Sequence, residues 1–309
     1  MSPHQGLPNW QLFAIAVVIW STTWHAILYQ LAHTTPELGV ALRFGLAGVL
    51  GLAIAAWRGD SLRFTPRGHA LLALQGVFMY SLAYFAVYHA ETHVPSGLVA
   101  VGYSASPLLN GIGAWLLWRT AIDRRFVAGG VLCIAGVTLI FWPEFAALGA
   151  GASITLGALF TVAAVLLSSV GSLAATRNAK HGLPFWPALG WGMSYGAAAS
   201  LLVVLALGQS IALPSPAAAP AWWASLAYLS IAGSVIAFAC FLALQQRVGP
   251  GPASTIGVMT PVLALVVSAL FEGFRPVLLT WIGTLLAVAG NVLILRPRLR
   301  PSAVSPAAE

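Results

Sequence analysis

Charge is what this chain has least of. Asp, Glu, Lys and Arg make up 7% of its 309 residues, against about 25% in an ordinary soluble domain. With 59% of the residues hydrophobic, there is too little polar material to cover a water-facing surface, which excludes a soluble globular domain. Short alternating strands are also missing, which excludes a transmembrane barrel. Cysteine is nearly absent: Cys133 and Cys240 both fall within apolar runs, so no disulfide framework and no metal site is expected. No Lys or Arg precedes the first apolar run, which argues against a cleaved signal peptide. HExxH and GxSxG do not occur and the histidines are scattered. An intramembrane enzyme needs a nucleophile with a base, or a metal constellation, so neither an enzyme nor a cofactor is expected.

What the chain does have is a succession of apolar runs near 20 residues long, the length that crosses the hydrocarbon core. The fold class expected is an all-α membrane protein with ten spans: Trp10–Leu31, Pro36–Trp57, His69–Ala90, Ser96–Trp118, Phe126–Trp142, Ile154–Thr176, Pro184–Leu207, Ala221–Gln245, Pro252–Phe271 and Pro276–Leu295. The tail, residues 297–309, is rich in Pro, Ser and Ala and is expected to be disordered.

The net charge of +7 and the pI near 10 invite a nucleic-acid reading. It is rejected because the basic residues sit in short loops, where membrane topology accounts for them. Arg58, Arg63 and Arg67 follow the second span, Arg119, Arg124 and Arg125 the fourth, Arg177 and Lys180 the sixth, Arg247 the eighth, and Arg296, Arg298 and Arg300 the tenth. Arg275 alone falls on the opposite side, and Arg43 lies inside the second span. The positive-inside rule then places both termini in the cytoplasm, as expected of a multi-pass inner-membrane protein.

The chain also repeats. Shifting it by 154 positions lays VGYSASPLLN (Val101–Asn110) over TIGVMTPVLA (Thr255–Ala264), Pro107 on Pro261, Gly129 on Gly283 and Gly136 on Gly290. Near the start, a shift of 148 lays Pro36 on Pro184 and Gly48 on Gly196. Residues 1–147 and 148–296 are therefore expected to form two five-helix repeats. Five is odd, so the halves have opposite orientation. Inverted repeats with interrupted helices at matching positions place a binding site near the bilayer midplane, around a central cavity. Proline in mid-helix removes a donor and clashes with the preceding turn, so Pro107 and Pro261 are expected to be hinges.

WSTTW at Trp20–Trp24, Pro36 with Arg43-Phe44, the two span prolines, and the glycine-spaced runs Gly129–Gly136 and Gly283–Gly290 together resemble the ten-helix EamA-type members of the drug/metabolite transporter superfamily. Within it the chain looks most like the YddG-type exporters of aromatic and neutral amino acids. The resemblance implies a carrier that exports small organic solutes, amino acids first. Family members often carry a glutamate at the end of spans four and nine; Glu272 fits the second position, whereas Trp118 and Arg119 stand at the first.

Candidate site residues follow from spacing and depth. Tyr80, Tyr84 and Tyr88 repeat every four positions and share a face of span three. Tyr103 and Asn110 share a face of span four. Tyr80, Tyr84, Tyr103, Trp20 and Asn110 are candidate substrate-binding residues: the rings suit an apolar side chain and the polar groups its head. The alternative for each is helix packing. Ser254 and Thr260 either meet substrate or bond carbonyls freed by Pro261. Ser168, Ser169 and Ser172 read as close helix packing, and His25 shares a face with Ser21. Arg43, roughly 10 Å along span two, is expected to form a structural ion pair with Glu91, with attraction of a substrate carboxylate as the alternative. All seven acidic residues fall near span ends, in loops or in the tail, so transport without ion coupling is expected, with proton coupling through His25 or His89 left open. The expected partners are an amino acid and the lipid bilayer, the carrier acting as a monomer.

Overall fold

In the computed structural model residues 6–94, 99–100, 102–140, 142, 152–271 and 277–295 are described. No strand occurs among the described residues. Ten main helices follow one another among them: α1 (Asn9–Leu31), α2 (Pro36–Trp57), α3 (Pro66–Glu91), α4 (Ser106–Trp118), α5 (Arg124–Ile140), α6 (Ala152–Lys180), α7 (Phe185–Ala206), α8 (Pro220–Val248), α9 (Ile256–Phe271) and α10 (Leu278–Leu295). Seven are long and apolar enough, on length and composition, to cross a membrane; α4, α5 and α9 are shorter, at 13, 17 and 16 residues. Glu272, Arg275, Arg296, the repeat boundary at 147 and 148, and the tail lie outside the described residues.

Local sequence sets the helix ends. The hydroxyls of Thr35 and Thr65 cap α2 and α3 by accepting from the amides of Leu38 and Gly68, and each is followed by proline in the first turn. At the other end of α2, Gly59 takes the left-handed conformation at φ +77°, and Gly208 does the same after α7 at φ +63°.

The helices corresponding to spans four and nine are not continuous. A 3₁₀ turn, Tyr103–Ala105, precedes α4, and a separate turn, Pro250–Ala253, precedes α9. Pro107 therefore does not lie within a running helix. It stands in the first turn of α4, where a missing N–H has no partner to lose. The Tyr103 carbonyl that Pro107 cannot bond is taken by the amide of Ser106. Pro261, by contrast, does lie inside α9.

Two helices carry π turns, a rare feature that concentrates at functional sites. They are Phe78–Leu82 in α3 and Ile231–Ile236 in α8. The 154-residue shift carries the first onto residues 232–236, inside the second.

The two halves meet through equivalent helices. Along α2 and α7, Gly45 faces Ala197, Gly48 faces Ser194 and Gly51 faces Gly190, so the two run antiparallel. Along α5 and α10, Gly129 faces Gly290 and Gly136 faces Gly283. A β-carbon on Gly136 would stand 2.6 Å from the Gly283 carbonyl oxygen, and one on Gly283 would stand 2.4 Å from that of Gly136. Glycines seven apart lie on one face two turns apart. With no side chain they let two backbones approach, which is how helices associate where lipid removes the hydrophobic drive. The outer faces carry large exposed apolar side chains such as Trp57, Leu202 and Leu285, as a hydrocarbon solvent requires.

Gly283→Leu is expected to separate α5 from α10, with overpacking of about 1–3 kcal/mol or more. Its measure is a lower melting temperature and poorer monodispersity in detergent than Leu285→Ala, an exposed control on the same helix.

Candidate functional site

Where the breaks before α4 and α9 meet α1, α2, α3, α6 and α8, the helices leave a central cavity of about 90 Å³. A water needs about 10–15 Å³ on this measure, so this conformation has room for one small solute. Six aromatic rings line the cavity among small polar side chains: Trp20 packs edge-on to Phe238 at 5.0 Å between ring centroids and tilts against Phe241 at 5.6 Å, and Trp24 meets Tyr103 at 5.9 Å. The indole of Trp20 also donates to the Gly233 carbonyl at 3.0 Å.

Arg43 gives this wall its charge. Its side chain is 1% exposed. Nε donates to Ser234 Oγ at 2.9 Å, Nη2 reaches the Gly233 carbonyl at 3.4 Å, and the guanidinium lies 4.7 Å from the ring centre of Tyr84 and 5.1 Å from that of Phe44. Both oxygen acceptors belong to the π turn of α8. Nη1 has no hydrogen-bond partner. A buried cation without a counter-ion is costly unless its donors are satisfied and its charge is spread over aromatic faces.

The expected Arg43–Glu91 ion pair does not form. Both carboxyl oxygens of Glu91 are buried without a hydrogen bond, although Arg43 stands within electrostatic reach. The acceptors on α8 and the ring of Tyr84 hold the guanidinium instead.

Six of the candidate residues come together on the cavity wall: Trp20, Tyr84, Tyr103, Asn110, Ser254 and Thr260. Asn110 Nδ2 donates to Ser254 Oγ at 2.7 Å, and Ser254 in turn donates to the Pro250 carbonyl. Asn110 Oδ1 has no partner, and neither has Trp24 Nε1. Thr260 spends its hydrogen on the Ile256 carbonyl, one turn back in its own helix. Tyr80 does not line the cavity. It shares a face with Tyr84, but Gly192 and Gly196 of α7 make a gap that takes its side chain, and it is buried there against Phe44 and Phe238. Pro107 and Pro261 stay out of the lining, and His25 is exposed on the outside of α1 beside Tyr29.

Sequence reasoning missed Phe238, Phe241, Thr23 and Ser106, and took Ser168 and Ser172 for packing only; all six line the cavity. The repeat holds the signal that finds most of them. The 154-residue shift pairs Tyr84 with Phe238, Val87 with Phe241, Tyr103 with Gly257 and Ser106 with Thr260, and the 148-residue shift pairs Trp20 with Ser168 and Trp24 with Ser172. Every one of these residues lines the cavity, which therefore lies on the pseudo-twofold axis. A bulky residue of the first half repeatedly opposes a small one of the second. At the crossing itself, a β-carbon on Gly257 would stand 3.2 Å from the Tyr103 carbonyl oxygen.

A family model described as the EamA-like transporter family matches residues 10–142 and 155–296. The chain is 28% identical to the "Uncharacterized inner membrane transporter YedA" of Escherichia coli strain K12, over 92% of this chain and 89% of that protein. It is 26% identical to the "Probable terminal-alkyne amino-acid exporter" of Streptantibioticus cattleyicolor, over 94% of each. A solved crystal structure, 23% identical, superposes with a TM-score of 0.74 over 92% of this chain and 95% of the other, and shares the fold.

Two hydroxyl deletions on neighbouring elements should separate. Ser234→Ala deprives Arg43 Nε of its acceptor and is expected to cost about 1–3 kcal/mol, whereas Ser230→Ala, just before the π turn, removes a buried hydroxyl without a hydrogen bond and is expected to cost less than about 0.5 kcal/mol. Melting curves of the two purified variants decide it.

Proposed function

The chain belongs to the EamA-like transporter family, and from that premise we propose that it exports aromatic and other neutral amino acids across the inner membrane by alternating access. One observation carries the substrate class: Arg43, a buried cation with no ion-paired carboxylate among the described residues and no hydrogen bond at Nη1, lines a small cavity together with six aromatic rings. A guanidinium with a free donor is matched by a carboxylate. Rings of Trp20, Tyr84, Phe238 and Phe241 suit an apolar or aromatic side chain. The free Oδ1 of Asn110 is an acceptor for an ammonium group. One cation suits one carboxylate better than the several negative charges of a phosphorylated metabolite. The name of the Streptantibioticus relative, an amino-acid exporter, points the same way.

The breaks at Tyr103–Ala105 and at Ser254-Thr255, each just ahead of Pro107 or Pro261, are the hinges in this proposal. The carrier acts as a monomer in the bilayer, with both termini and the arginine-rich loops in the cytoplasm. No carboxylate or imidazole lines the cavity among the described residues, which favours movement down the substrate gradient without ion coupling. A second reading, coupling to protons, is favoured by Glu91, a buried carboxyl with no hydrogen bond close to Arg43.

Liposomes holding the purified protein, with no ion gradient, are expected to take up labelled phenylalanine saturably, with tryptophan, methionine and threonine competing and preloaded phenylalanine giving counterflow. Absence of uptake by folded protein would remove the amino-acid assignment. An imposed pH gradient that drives phenylalanine uphill would replace uncoupled transport by the second reading.

A further inference from the structure

A second, larger cleft of about 520 Å³ opens at the arginine-rich end of the molecule. Its walls are the loop from Thr120 to Phe126, the linker from Val248 to Pro252, the end of α10 and Asn9. Neighbouring residues divide it from the central cavity. Asn110 and Ser254 face the cavity, while Gly111 and Gly251, one and three residues away, face the cleft.

The partition is closed by two contacts between the halves. One is the hydrogen bond from Asn110 Nδ2 to Ser254 Oγ, 2.7 Å long and buried. The other is the ring of Phe126, seated on Gly111 and Gly251. A β-carbon on Gly111 would stand 2.4 Å from Phe126 Cε1, and one on Gly251 would stand 2.8 Å from Cζ and 3.3 Å from the Gly111 α-carbon. The elements that carry these contacts adjoin the two helix breaks. Ser254 belongs to the interruption before α9, and Asn110 lies one turn into α4 beyond the 3₁₀ turn.

The repeat does not duplicate this closure. The 154-residue shift carries Asn110 to Ala264, Ser254 to Ala100 and Phe126 to Thr280. The residues at these equivalent positions can form neither the side-chain hydrogen bond nor the aromatic wedge. We infer that Asn110, Ser254 and Phe126 form the gate between the central cavity and the arginine-rich cleft, and that the cleft is the vestibule through which substrate reaches the cavity from that side. Asn110 also lines the cavity, so one residue belongs both to the latch and to the wall of the space where substrate sits. This inference rests on the transport reading but not on the amino-acid assignment.

The test uses no substrate, so its failure is distinct from a failure of the uptake experiment. In the full chain with Cys133→Ala and Cys240→Ala, Ser106→Cys places a thiol on the cavity wall. Labelling of that thiol by a membrane-impermeant methanethiosulfonate is followed in vesicles from each side separately. From the arginine-rich side it is expected to be slow, and to rise about tenfold when the latch bond is removed by Asn110→Ala. Phe126→Ala is expected to do the same, with labelling from the other side unchanged. Ser254→Ala removes only the hydroxyl and reads the same latch if Asn110→Ala does not fold. No rise in the folded variants, or an equal rise from both sides, would overturn the gate.

Discussion

A guanidinium held inside an apolar bundle is the constraint on which the centre of this protein depends. Arg43 can remain buried there because the π turn of α8 offers it a carbonyl and a hydroxyl, and because Tyr84 and Phe44 present their faces to its charge. Wide turns interrupt the regular i→i−4 ladder, and the Gly233 carbonyl is shared by Arg43 and by the indole of Trp20. The same turn thereby joins α1 and α2 of the first half to α8 of the second. Glycine at 233 is required for this approach, since a β-carbon there would stand 2.9 Å from Thr23 and 3.3 Å from Arg43 Nη2. Nε and Nη2 of the cation are thus engaged while Nη1 makes no hydrogen bond, and no carboxylate lines the cavity beside Arg43 among the described residues.

Inverted repetition explains both where that cavity lies and why it is asymmetric. Antiparallel glycine contacts bring α2 to α7 and α5 to α10, leaving the axis between the halves to be filled by α1, α3, α6, α8 and the interrupted starts of α4 and α9. Identical halves would give a symmetric chamber. Here Trp20 opposes Ser168, Trp24 opposes Ser172 and Tyr103 opposes Gly257, so the first half supplies most of the aromatic surface and the second makes room for it. A chamber with different halves can hold a solute with a head and a tail in one orientation.

Much of this was legible in the sequence. The run lengths gave the order and approximate ends of the helices, and the 154-residue shift identified the glycines that meet at α5 and α10. Of the residues that spacing, depth and closeness to the prolines single out, Trp20, Tyr84, Tyr103, Asn110, Ser254 and Thr260 line the cavity. What was not legible depended on register. A four-residue spacing puts Tyr80 beside Tyr84, but only the facing Gly192 and Gly196 decide that its side chain turns to α7. The π turns have no residue signature, so the acceptors they offer Arg43 were invisible, and Glu91 looked like the natural partner. Hydrophobicity runs on through the break before Pro107, so run length alone does not show where the helix is interrupted.

The most direct measurement is the thermal stabilisation of the purified protein by three ligands that share one ring: phenylalanine, 3-phenylpropionate and phenethylamine, each against wild type and Arg43→Gln. If Arg43 receives a carboxylate, the two carboxylates raise the wild-type melting temperature, phenethylamine does not, and folded Arg43→Gln responds to none of them. Stabilisation of wild type by phenethylamine as large as that by phenylalanine, or an undiminished response in Arg43→Gln, would contradict the assignment of Arg43 as the substrate anchor.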